Sequence, residues 1–236
     1  MMSTEKKILV FTATFNELDN IKELVGSIKK QPSDPDILII DDNSPDGTSK
    51  EVKKLQNNFK NIFLIERDGK LGLDSAHKEA YEFALKNNYD LLITMDADLS
   101  HDPNELGNFI RNLDEFQVVL GSRYISGGQC LMKGRRLIFS KYGNLIIKFF
   151  FQVDCNEFTT SYRGFNLKKL NNFHLNLIKT KGYSFFMGAV HEIFKQKFKV
   201  KEIPIIFDDR KKGYSKIPRI EMLRTLINIL VLKFFK

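Results

Sequence analysis

The chain has the size and composition of a folded protein with a full hydrophobic core. Its 236 residues are 42% hydrophobic and 28% charged, which excludes a disordered or low-complexity protein, and no internal repeat is visible. The net charge of +8 conceals an asymmetry, because residues 1–120 carry −8 and residues 121–236 carry +16, so that one half can hold a metal ion and the other can hold anions.

Short apolar runs alternate with segments of helical spacing as far as Tyr124. Strands are predicted at Ile8–Phe11, Ile37–Ile40, Ile62–Ile65, Leu91–Met95 and Val118–Leu120. The apolar positions of the intervening helices recur every three or four residues, at Leu18, Ile21, Leu24, Val25 and Ile28 after an N-cap at Asn16, and at Ala76, Ala80, Phe83 and Ala84. This alternation predicts βαβ units and an α/β fold with a mainly parallel, doubly wound sheet.

Polar residues follow three of these strands, at the point where each strand ends. Asp96 and Asp98 follow the fourth strand, Asp41 and Asp42 follow the second, and Thr14–Glu17 follow the first. Ligands of open α/β sheets bind outside the carboxyl ends of the strands, and carboxylates there suit Mg²⁺ or Mn²⁺ carrying pyrophosphate oxygens. The D-x-D tripeptide alone is common, but its place after a buried strand predicts an enzyme that handles an activated nucleotide.

Two features near these strand ends have alternative interpretations. The segment 41–48 is rich in turn-forming residues, so it is either a turn with a helix cap or a loop whose carboxylate accepts from a base or ribose hydroxyl. Lys70 precedes a glycine-containing turn and either contacts a diphosphate or is solvated.

Beyond Tyr124 the alternation stops and helices are predicted. Met132–Phe151 has basic residues on one face and aromatic residues on another, which is typical of a helix lying in a membrane interface. The alternative is a helix packed over the edge of the sheet. A second candidate interface helix is Ile220–Phe235, and Ser184–Lys195 is a third predicted helix, with Phe185 and Phe186 in the core or against lipid tails.

The cysteines and the hydropathy of the chain indicate the cellular compartment in which it works. Cys130 and Cys155 lack C-x-x-C spacing and cannot form a disulfide framework, which favours a reducing, cytoplasmic compartment. The run Ile8–Phe11 is too short for a signal peptide. Lys and Asn interrupt the apolar stretches Leu137–Val153 and Leu223–Phe235, so neither predicts a membrane span.

Six motifs occur in a recognisable order over nearly the entire chain. They are Thr14–Glu17, Asp41–Thr48, Lys70–Leu73, Met95–His101, Gly121–Tyr124 and Asp209–Lys216. In this order they resemble the family 2 glycosyltransferases and, more narrowly, the dolichol-phosphate (polyprenol-phosphate) mannose synthases. The order of six motifs is far more specific than any one of them.

The resemblance implies a GT-A fold in a single domain, 1–236, with a nucleotide-sugar-binding half at 1–124 and an acceptor-binding half with membrane-interface helices at 125–236. It implies an inverting transfer of mannose from GDP-mannose to a dolichyl or polyprenyl monophosphate, with Mg²⁺ or Mn²⁺ as cofactor. We expect a peripheral enzyme on the cytosolic face of a membrane, with direct attachment or an anchoring subunit, and no nucleic-acid partner.

The resemblance also implies the roles of individual residues. Asp96 and Asp98 would hold the metal ion, and Asp98, Arg123 and Arg210 would be catalytic. The substrate-binding positions are Ala13, Phe15, Glu17, Ile40, Asp42, Asp96, Ala97, Asp98, Arg123, Arg136, Ser140, Arg163, Ile203, Arg210 and Lys216. Among these, Ala13, Phe15, Glu17 and Asp42 would line the nucleoside pocket, Arg123, Arg136 and Ser140 would meet phosphate oxygens, and Arg210 and Lys216 would close over the donor.

The reaction chemistry agrees with this assignment. A lipid monophosphate has a second pKa near about 6, so it is largely dianionic at neutral pH and needs no enzymic base. The reaction requires a metal ion to neutralise the departing diphosphate and fixed cations to bring two anions together. Arginine suits the phosphate contacts because its planar fork binds two oxygens at once.

The chain departs from the family pattern at several positions. Ala13, Phe15, Asn43, Asp74 and Thr160 stand where the family usually has Pro, Tyr, Gly, Gly and Gly. Phe15 keeps a stacking face but lacks a hydroxyl. In the segment 159–164, Arg163 faces the acceptor phosphate or pairs within the core, and the sequence favours neither alternative.

Two other functions compete with this hypothesis. One is a family 2 transferase that uses UDP-glucose or UDP-N-acetylglucosamine, with a polyprenyl phosphate or another glycan as acceptor. The more remote one is a basic nucleic-acid-binding protein, which only the charge of residues 121–236 supports, because no zinc-ligand spacing or RNA-binding aromatic motif occurs.

Overall fold

The computed structural model describes residues 6–182, 184–208 and 228, and in these ranges the chain is an α/β structure. The strands are β1 (Ile8–Thr14), β2 (Asp36–Asp41), β3 (Ile62–Glu66), β4 (Leu91–Thr94), β5 (Val118–Ser122), β6 (Gln129–Cys130), β7 (Arg163–Asn166), β8 (Val200–Pro204) and β9 (Ile206–Phe207). The helices are α1 (Leu18–Lys29), α2 (Thr48–Asn58), α3 (Leu73–Lys86), α4 (Leu106–Asn112), α5 (Arg135–Phe151) and α6 (Ser184–Lys195).

Seven strands form one sheet in the order β3-β2-β1-β4-β7-β5-β8, and β6 pairs with β9 beside it. All pairs of the large sheet are parallel except those of β7, which runs antiparallel between β4 and β5. The five predicted strands and the mainly parallel sheet are confirmed. The sequence did not predict β7, because Arg163-Gly164-Phe165-Asn166 has neither an apolar run nor a β-branched residue.

Alternate residues of each strand point to opposite faces of the sheet, and helices bury them on both faces. Leu9 and Phe11 of β1 pack with α3 and α6 on one face, while Val10 packs with α1, α2 and α4 on the other. The helix α1 begins at Leu18 with Glu17 in the cap position. The predicted N-cap at Asn16 is therefore wrong by one residue.

Four residues from the predicted substrate-binding set lie in the core. Ile40, Ala97 and Ile203 are buried, so their side chains pack in the core. Arg163 is also buried, and its guanidinium donates to the carbonyl oxygens of Thr160, Phe186 and Phe158 at 2.8, 3.0 and 2.9 Å. Of the two alternatives for Arg163, the structure supports the core position.

The predicted helix at Met132–Phe151 is present as α5, although it begins three residues later, at Arg135. Few side chains of α5 are buried. Among those that the structure describes, they are Asn144 and Ile147. Phe150 and Phe151 are partly buried against the core. Six large apolar side chains, each at least 41% exposed, form what we call the apolar face of α5: Ile138, Phe139, Tyr142, Leu145, Ile146 and Phe149.

The C-terminal candidate helix, Ile220–Phe235, lies outside the described residues. Among the described residues, no helix has the length and hydropathy needed to cross a bilayer.

Two helical glycines form a matched pair that tests the packing of α6. A Cβ at Gly188 would lie 2.2 Å from Thr180 Oγ1, whereas a Cβ at Gly26 in α1 would meet nothing within 4 Å. We expect Gly188→Ala to lower the free energy of unfolding by about 1–3 kcal/mol because the neighbouring segment must move. We expect Gly26→Ala to raise it by about 0.5–1 kcal/mol through helix propensity. Urea denaturation measures both changes, and equal effects would contradict the packing of α6.

Candidate active site

The loops after β1 and β2 are joined by hydrogen bonds at the carboxyl edge of the sheet. The backbone N–H groups of Asn16, Glu17 and Leu18 donate to Ser44 Oγ, Thr48 Oγ1 and Asp46 Oδ2 at 2.9, 3.0 and 3.0 Å. Turn residues of the 41–48 segment thus supply the acceptors for the start of α1. These bonds fix the wall of a crevice at this edge.

Asp41 and Asp42 are adjacent in sequence, but they have different hydrogen-bond partners and different structural roles. Asp41 is fully buried, and its carboxylate accepts from the hydroxyls of Thr14, Ser44 and Ser49 at 2.6, 2.6 and 2.8 Å. The backbone N–H of Ser44 also donates to it at 2.8 Å. Asp41 therefore holds the loop together, and Asp42 is the carboxylate left beside the crevice.

Asp42 is held by Arg67, which the sequence analysis did not single out. Arg67 Nη1 donates to Asp42 Oδ1 at 2.9 Å, and the Gly72 N–H donates to Asp42 Oδ2 at 3.1 Å. Arg67 Nε and Nη2 donate to Glu79 Oε2 of α3 at 3.1 and 2.9 Å. In the sequence, Arg67 is recognisable only as a lone arginine directly after β3. Its partners could not be identified from the sequence because they are 25 and 12 residues away.

The predicted nucleoside-binding residues lie together at the ends of β1 and β2. Ala13 pairs with Ile40 in the parallel register of these strands, and the Asp42 N–H donates to Thr14 O at 2.9 Å. Phe15 is half-buried, and Lys70 Nζ lies 4.4 Å from the centre of its ring. Lys70 is thus at the crevice, covering an aromatic face on which a base could stack.

Asp96 and Asp98 form a tight turn after β4. Ser161 Oγ donates to Asp96 Oδ1 at 2.5 Å, and Ser100 donates to Asp98 Oδ1 from both N and Oγ, at 3.2 and 2.5 Å. Asp96 Oδ2 accepts no hydrogen bond from the described part of the chain, and the Asp96 side chain is 33% exposed. One carboxylate oxygen is therefore fixed by the protein while the other is available at the crevice.

The donor chemistry of this turn fits a divalent cation that shares its ligands with a substrate. Carboxylate oxygens are the hard ligands that Mg²⁺ and Mn²⁺ prefer, and Mg²⁺ is typically bound by one or two carboxylates plus phosphate oxygens. Within the described ranges, no cluster of three or more His, Cys, Asp or Glu side chains could hold a metal ion alone. The two aspartates thus match a cation that arrives with a diphosphate.

Arg123 forms a buried ion pair with Glu157, which the sequence analysis also missed. Arg123 Nε and Nη2 each donate to one Glu157 oxygen at 2.7 Å, and Nη2 also donates to Thr159 Oγ1 at 2.8 Å. Burial opposes the charge on both groups, but each lies against the opposite charge, so the pKa of Glu157 is lowered and that of Arg123 is raised. Arg123 Nη1 makes no hydrogen bond to any described residue, and this nitrogen remains for a ligand.

A cavity of about 400 Å³ lies between α5 and the loop after β5. Arg123 and Tyr124 line it from the loop, and Lys141 and Lys148 line it from α5. The Tyr124 hydroxyl donates to Ser140 Oγ at 2.7 Å, so the structure brings Ser140 to the same region as Arg123. The Arg123–Glu157 pair is neutral overall, and Lys148 Nζ lies 3.5 Å from Asp154 Oδ1. Of the lining lysines, Lys141 is therefore the one whose charge no described carboxylate offsets.

Three predicted substrate-binding residues lie outside the described part of the chain. They are the Arg136 side chain, Arg210 and Lys216. Their roles stay predictions.

Two histidines, His77 and His101, are buried. His77 is buried, packs edge-on against Phe11 and Phe186 at 5.0 and 4.9 Å between ring centres, and burial lowers its pKa to about 3. His101 is buried beside Asp96 and accepts from the Asp96 N–H at 3.0 Å. Their burial was not predictable because neither stands in an apolar run.

Comparison with known proteins gives matches over most of the chain. The model of the family described as "Glycosyl transferase family 2" matches residues 9–173. The chain is 32% identical over 215 residues to a polyprenol monophosphomannose synthase of Mycolicibacterium smegmatis, covering 90% of this chain and 81% of the relative. It is 28% identical over 212 residues to an undecaprenyl-phosphate mannosyltransferase of Micrococcus luteus, covering 89% and 87%.

Solved structures share the fold at low sequence identity. Glucosyl-3-phosphoglycerate synthase of Mycobacterium tuberculosis, solved with Mn²⁺, UDP and glucosyl-3-phosphoglycerate, superposes with a TM-score of 0.68 at 15% identity over 97% of this chain and 80% of that one. A mannosyltransferase of Pyrobaculum calidifontis, solved with GDP-Man and Mn²⁺, gives 0.55 at 17% identity over 90% and 59%. The expected GT-A architecture is confirmed for the sheet and its flanking helices.

The Arg123–Glu157 pair makes a pH-dependent contribution to stability. We expect Glu157→Gln to lower the free energy of unfolding at pH 7 by about 3–5 kcal/mol, because it leaves a buried guanidinium without its counter-charge. The folded-state pKa of Glu157 lies below its usual 4.5. The contribution is therefore complete above that pH and is lost as the pH falls through the folded-state pKa. The difference between wild type and variant should narrow below pH 4.5.

Chemical denaturation at several pH values measures this difference. Glu79→Gln is the matched control, because its carboxylate also pairs with an arginine but is 42% exposed. We expect it to cost no more than about 1 kcal/mol at any pH. A cost at Glu157 that is equally small or independent of pH would contradict the account.

Proposed function

The chain belongs to glycosyl transferase family 2, and we propose that this hexosyltransferase moves mannose from GDP-mannose to a polyprenyl monophosphate with inversion at the anomeric carbon. The observation that carries the proposal is the 32% identity, over 90% of the chain, to a polyprenol monophosphomannose synthase. GDP-mannose is supported more weakly, by a mannosyltransferase of the same fold that was solved with GDP-Man and Mn²⁺.

On the donor side, the nucleoside would lie at the ends of β1 and β2 and the diphosphate near the turn after β4. The Phe15 ring would stack on the base once Lys70, whose Nζ lies 4.4 Å from the ring centre, turns toward the diphosphate. Asp42, oriented by Arg67 and the Gly72 amide, would accept from a base or ribose group. Asp96 and Asp98 would hold Mg²⁺ or Mn²⁺, which when bound neutralises the charge on the departing diphosphate. Ser161 and Ser100 keep both carboxylates in place.

On the acceptor side, the cavity beside α5 would receive the lipid phosphate. Arg123 can offer Nη1 to a phosphate oxygen while Glu157 holds the other edge of its guanidinium. Lys141 adds positive charge at the cavity, and Lys148, which lies 3.5 Å from the fully exposed Asp154, would have to exchange that carboxylate for the phosphate. Because the phosphate is already ionised, the chain has to orient the nucleophile but not to deprotonate it.

The apolar face of α5 would bring the enzyme to its lipid substrate. Six large apolar side chains are exposed together on this helix, beside the cavity that Leu145, Lys141 and Lys148 line. An exposed apolar helix face flanked by lysines fits the headgroup region of a membrane with anionic lipids. We infer peripheral attachment at the cytosolic face, either by this helix alone or together with an anchoring subunit.

Sugar transfer can be tested with Asp98→Asn. We expect the variant to lose transfer by a factor of at least about 100, because the amide weakens the hold on the cation that stabilises the leaving group. Purified protein is incubated with Mn²⁺, a short polyprenyl phosphate and radiolabelled GDP-mannose, UDP-glucose or UDP-N-acetylglucosamine. The label is then counted in the organic phase.

The matched control is Asp102→Asn, a carboxylate of the same loop that caps the turn at Pro103–Glu105 by accepting from the Asn104 N–H. It should retain transfer, because asparagine can cap equally well. Label from GDP-mannose supports the proposal. Label from a UDP-sugar alone would overturn the donor, and full activity in Asp98→Asn would overturn the metal site.

Membrane attachment can be tested with the two most informative residues of the apolar face. We expect Phe139→Ser with Phe149→Ser to weaken binding to anionic vesicles at least tenfold, because burying one phenylalanine contributes about 1.5–3 kcal/mol. Co-sedimentation with vesicles containing phosphatidylglycerol measures the change. Leu177→Ser is the control, since Leu177 is 48% exposed but lies elsewhere. Equal binding by the double variant and the control variant would exclude α5 as the attachment site.

A further inference from the structure

The turn that carries Asp96 and Asp98 is closed by a histidine. The Asp96 N–H donates to His101 Nδ1 at 3.0 Å, so the ring of a residue five positions later returns to the start of the turn. Leu99, between them, has a positive φ of 62°, a conformation that L-residues adopt only under constraint. The backbone of the turn is therefore held in one shape rather than being an open loop.

Aromatic packing fixes the orientation of the His101 ring. Only 1% of the residue is exposed. Tyr162 stacks on one side at 4.9 Å between ring centres, and Phe207 meets the ring edge-on at 5.4 Å. Tyr162 is itself fixed, because it stacks on Phe109 at 4.3 Å and its hydroxyl donates to Asp102 O at 2.9 Å. The imidazole cannot turn away from Asp96 without displacing two rings.

The hydrogen bond defines the protonation of the ring. Since Nδ1 accepts from a backbone N–H, the proton of the neutral ring is on Nε2. Nε2 has no hydrogen-bond partner within the described ranges. A phenyl ring would fill this space without burying an unpaired donor, so the feature that requires histidine here is Nδ1.

We propose that His101 is a positioning residue for the cation site, because its Nδ1 holds the Asp96 amide and thereby directs the Asp96 carboxylate. This proposal rests on the proposed function. Two anchors act on Asp96: His101 at the backbone N–H and Ser161 at Oδ1, at 2.5 Å. Oδ2 lies 3.9 Å from Nδ1, beyond hydrogen-bonding distance. With the amide and one oxygen fixed, the direction of Oδ2 is fixed as well.

Three substitutions separate the Nδ1 contact from the packing of the ring. His101→Asn places an amide oxygen near the position of Nδ1, His101→Gln places its amide group near Nε2 instead, and His101→Phe keeps a ring without any acceptor. Mn²⁺ binding to the whole chain is measured by electron paramagnetic resonance in the presence of GDP or UDP, which supplies the diphosphate oxygens, with no sugar donor or acceptor present and with the nucleotide alone as the blank. We expect His101→Phe and His101→Gln to weaken Mn²⁺ binding by about 10- to 100-fold, and His101→Asn to retain most of it.

The Asp96 amide gives a second, metal-free readout. In ¹⁵N-labelled protein, the Asp96 proton resonance should lie downfield in wild type and His101→Asn and move upfield in His101→Phe. Unchanged Mn²⁺ affinity in His101→Phe, or equal losses in the Asn and Gln variants, would overturn the proposal. If the Phe variant does not fold, the Asn and Gln pair decides. Failure of the proposed function would appear differently, as a wild-type enzyme that binds Mn²⁺ but transfers no mannose.

Discussion

The constraint on which the rest of the site depends is the reversal of strand order between β1 and β4. From β1 the chain builds β2 and β3 to one side, and from β4 the sheet continues through β7, β5 and β8 on the other. Loops that leave the carboxyl ends of β1 and β4 therefore diverge, and a crevice opens between them. The residues that we propose for nucleoside binding lie on one side of this crevice, the Arg123 region lies on the other, and the turn with Asp96 and Asp98 lies between the two.

Buried polar contacts keep that crevice in shape. Asp41 accepts hydrogen bonds from three hydroxyls of the loops after β1 and β2. Glu157, 34 residues after Arg123, forms an ion pair with it. His101 and Ser161 hold Asp96 from two directions. In the last two cases the side chain that a ligand could use, Arg123 or Asp96, is oriented by a buried partner. Such a site needs little rearrangement when the substrates arrive, which is how a preorganised site lowers a barrier.

Local patterns in the sequence predicted the parts of the fold that local energetics determine. The apolar runs gave five strands, and the periodicity of Ser184–Lys195 gave α6 with the same boundaries. The strand β7 was missed because an antiparallel strand between two others is stabilised by its neighbours, not by its own residues. Asp41 and Asp42 are adjacent acids in the sequence, and only the fold shows that Asp41 is surrounded by three hydroxyls while Asp42 is held by Arg67. Likewise, Arg67, Glu157 and His101 owe their roles to partners brought close by the fold.

The charge asymmetry predicted an acidic and a basic half, and the structure refines what that means. Arg67, Arg123 and Arg163 are all buried, and each is matched by a carboxylate or by backbone carbonyls. Net charge therefore overstates the number of cations that a phosphate can meet. Among the described residues, the cationic groups that no carboxylate offsets at the cavity are Lys141 and one edge of Arg123, and Asp42 and Asp96 are carboxylates beside the crevice.

The most direct test of the account is the position of the metal ion in crystals of the enzyme grown with Mn²⁺ and GDP-mannose. Anomalous scattering at the manganese edge locates the ion without reference to any assigned role. The account predicts one peak in the crevice between β1 and β4, bonded to oxygens of Asp96 and Asp98 and to the diphosphate. A peak at other residues, with both aspartates directed away from the donor, would contradict it.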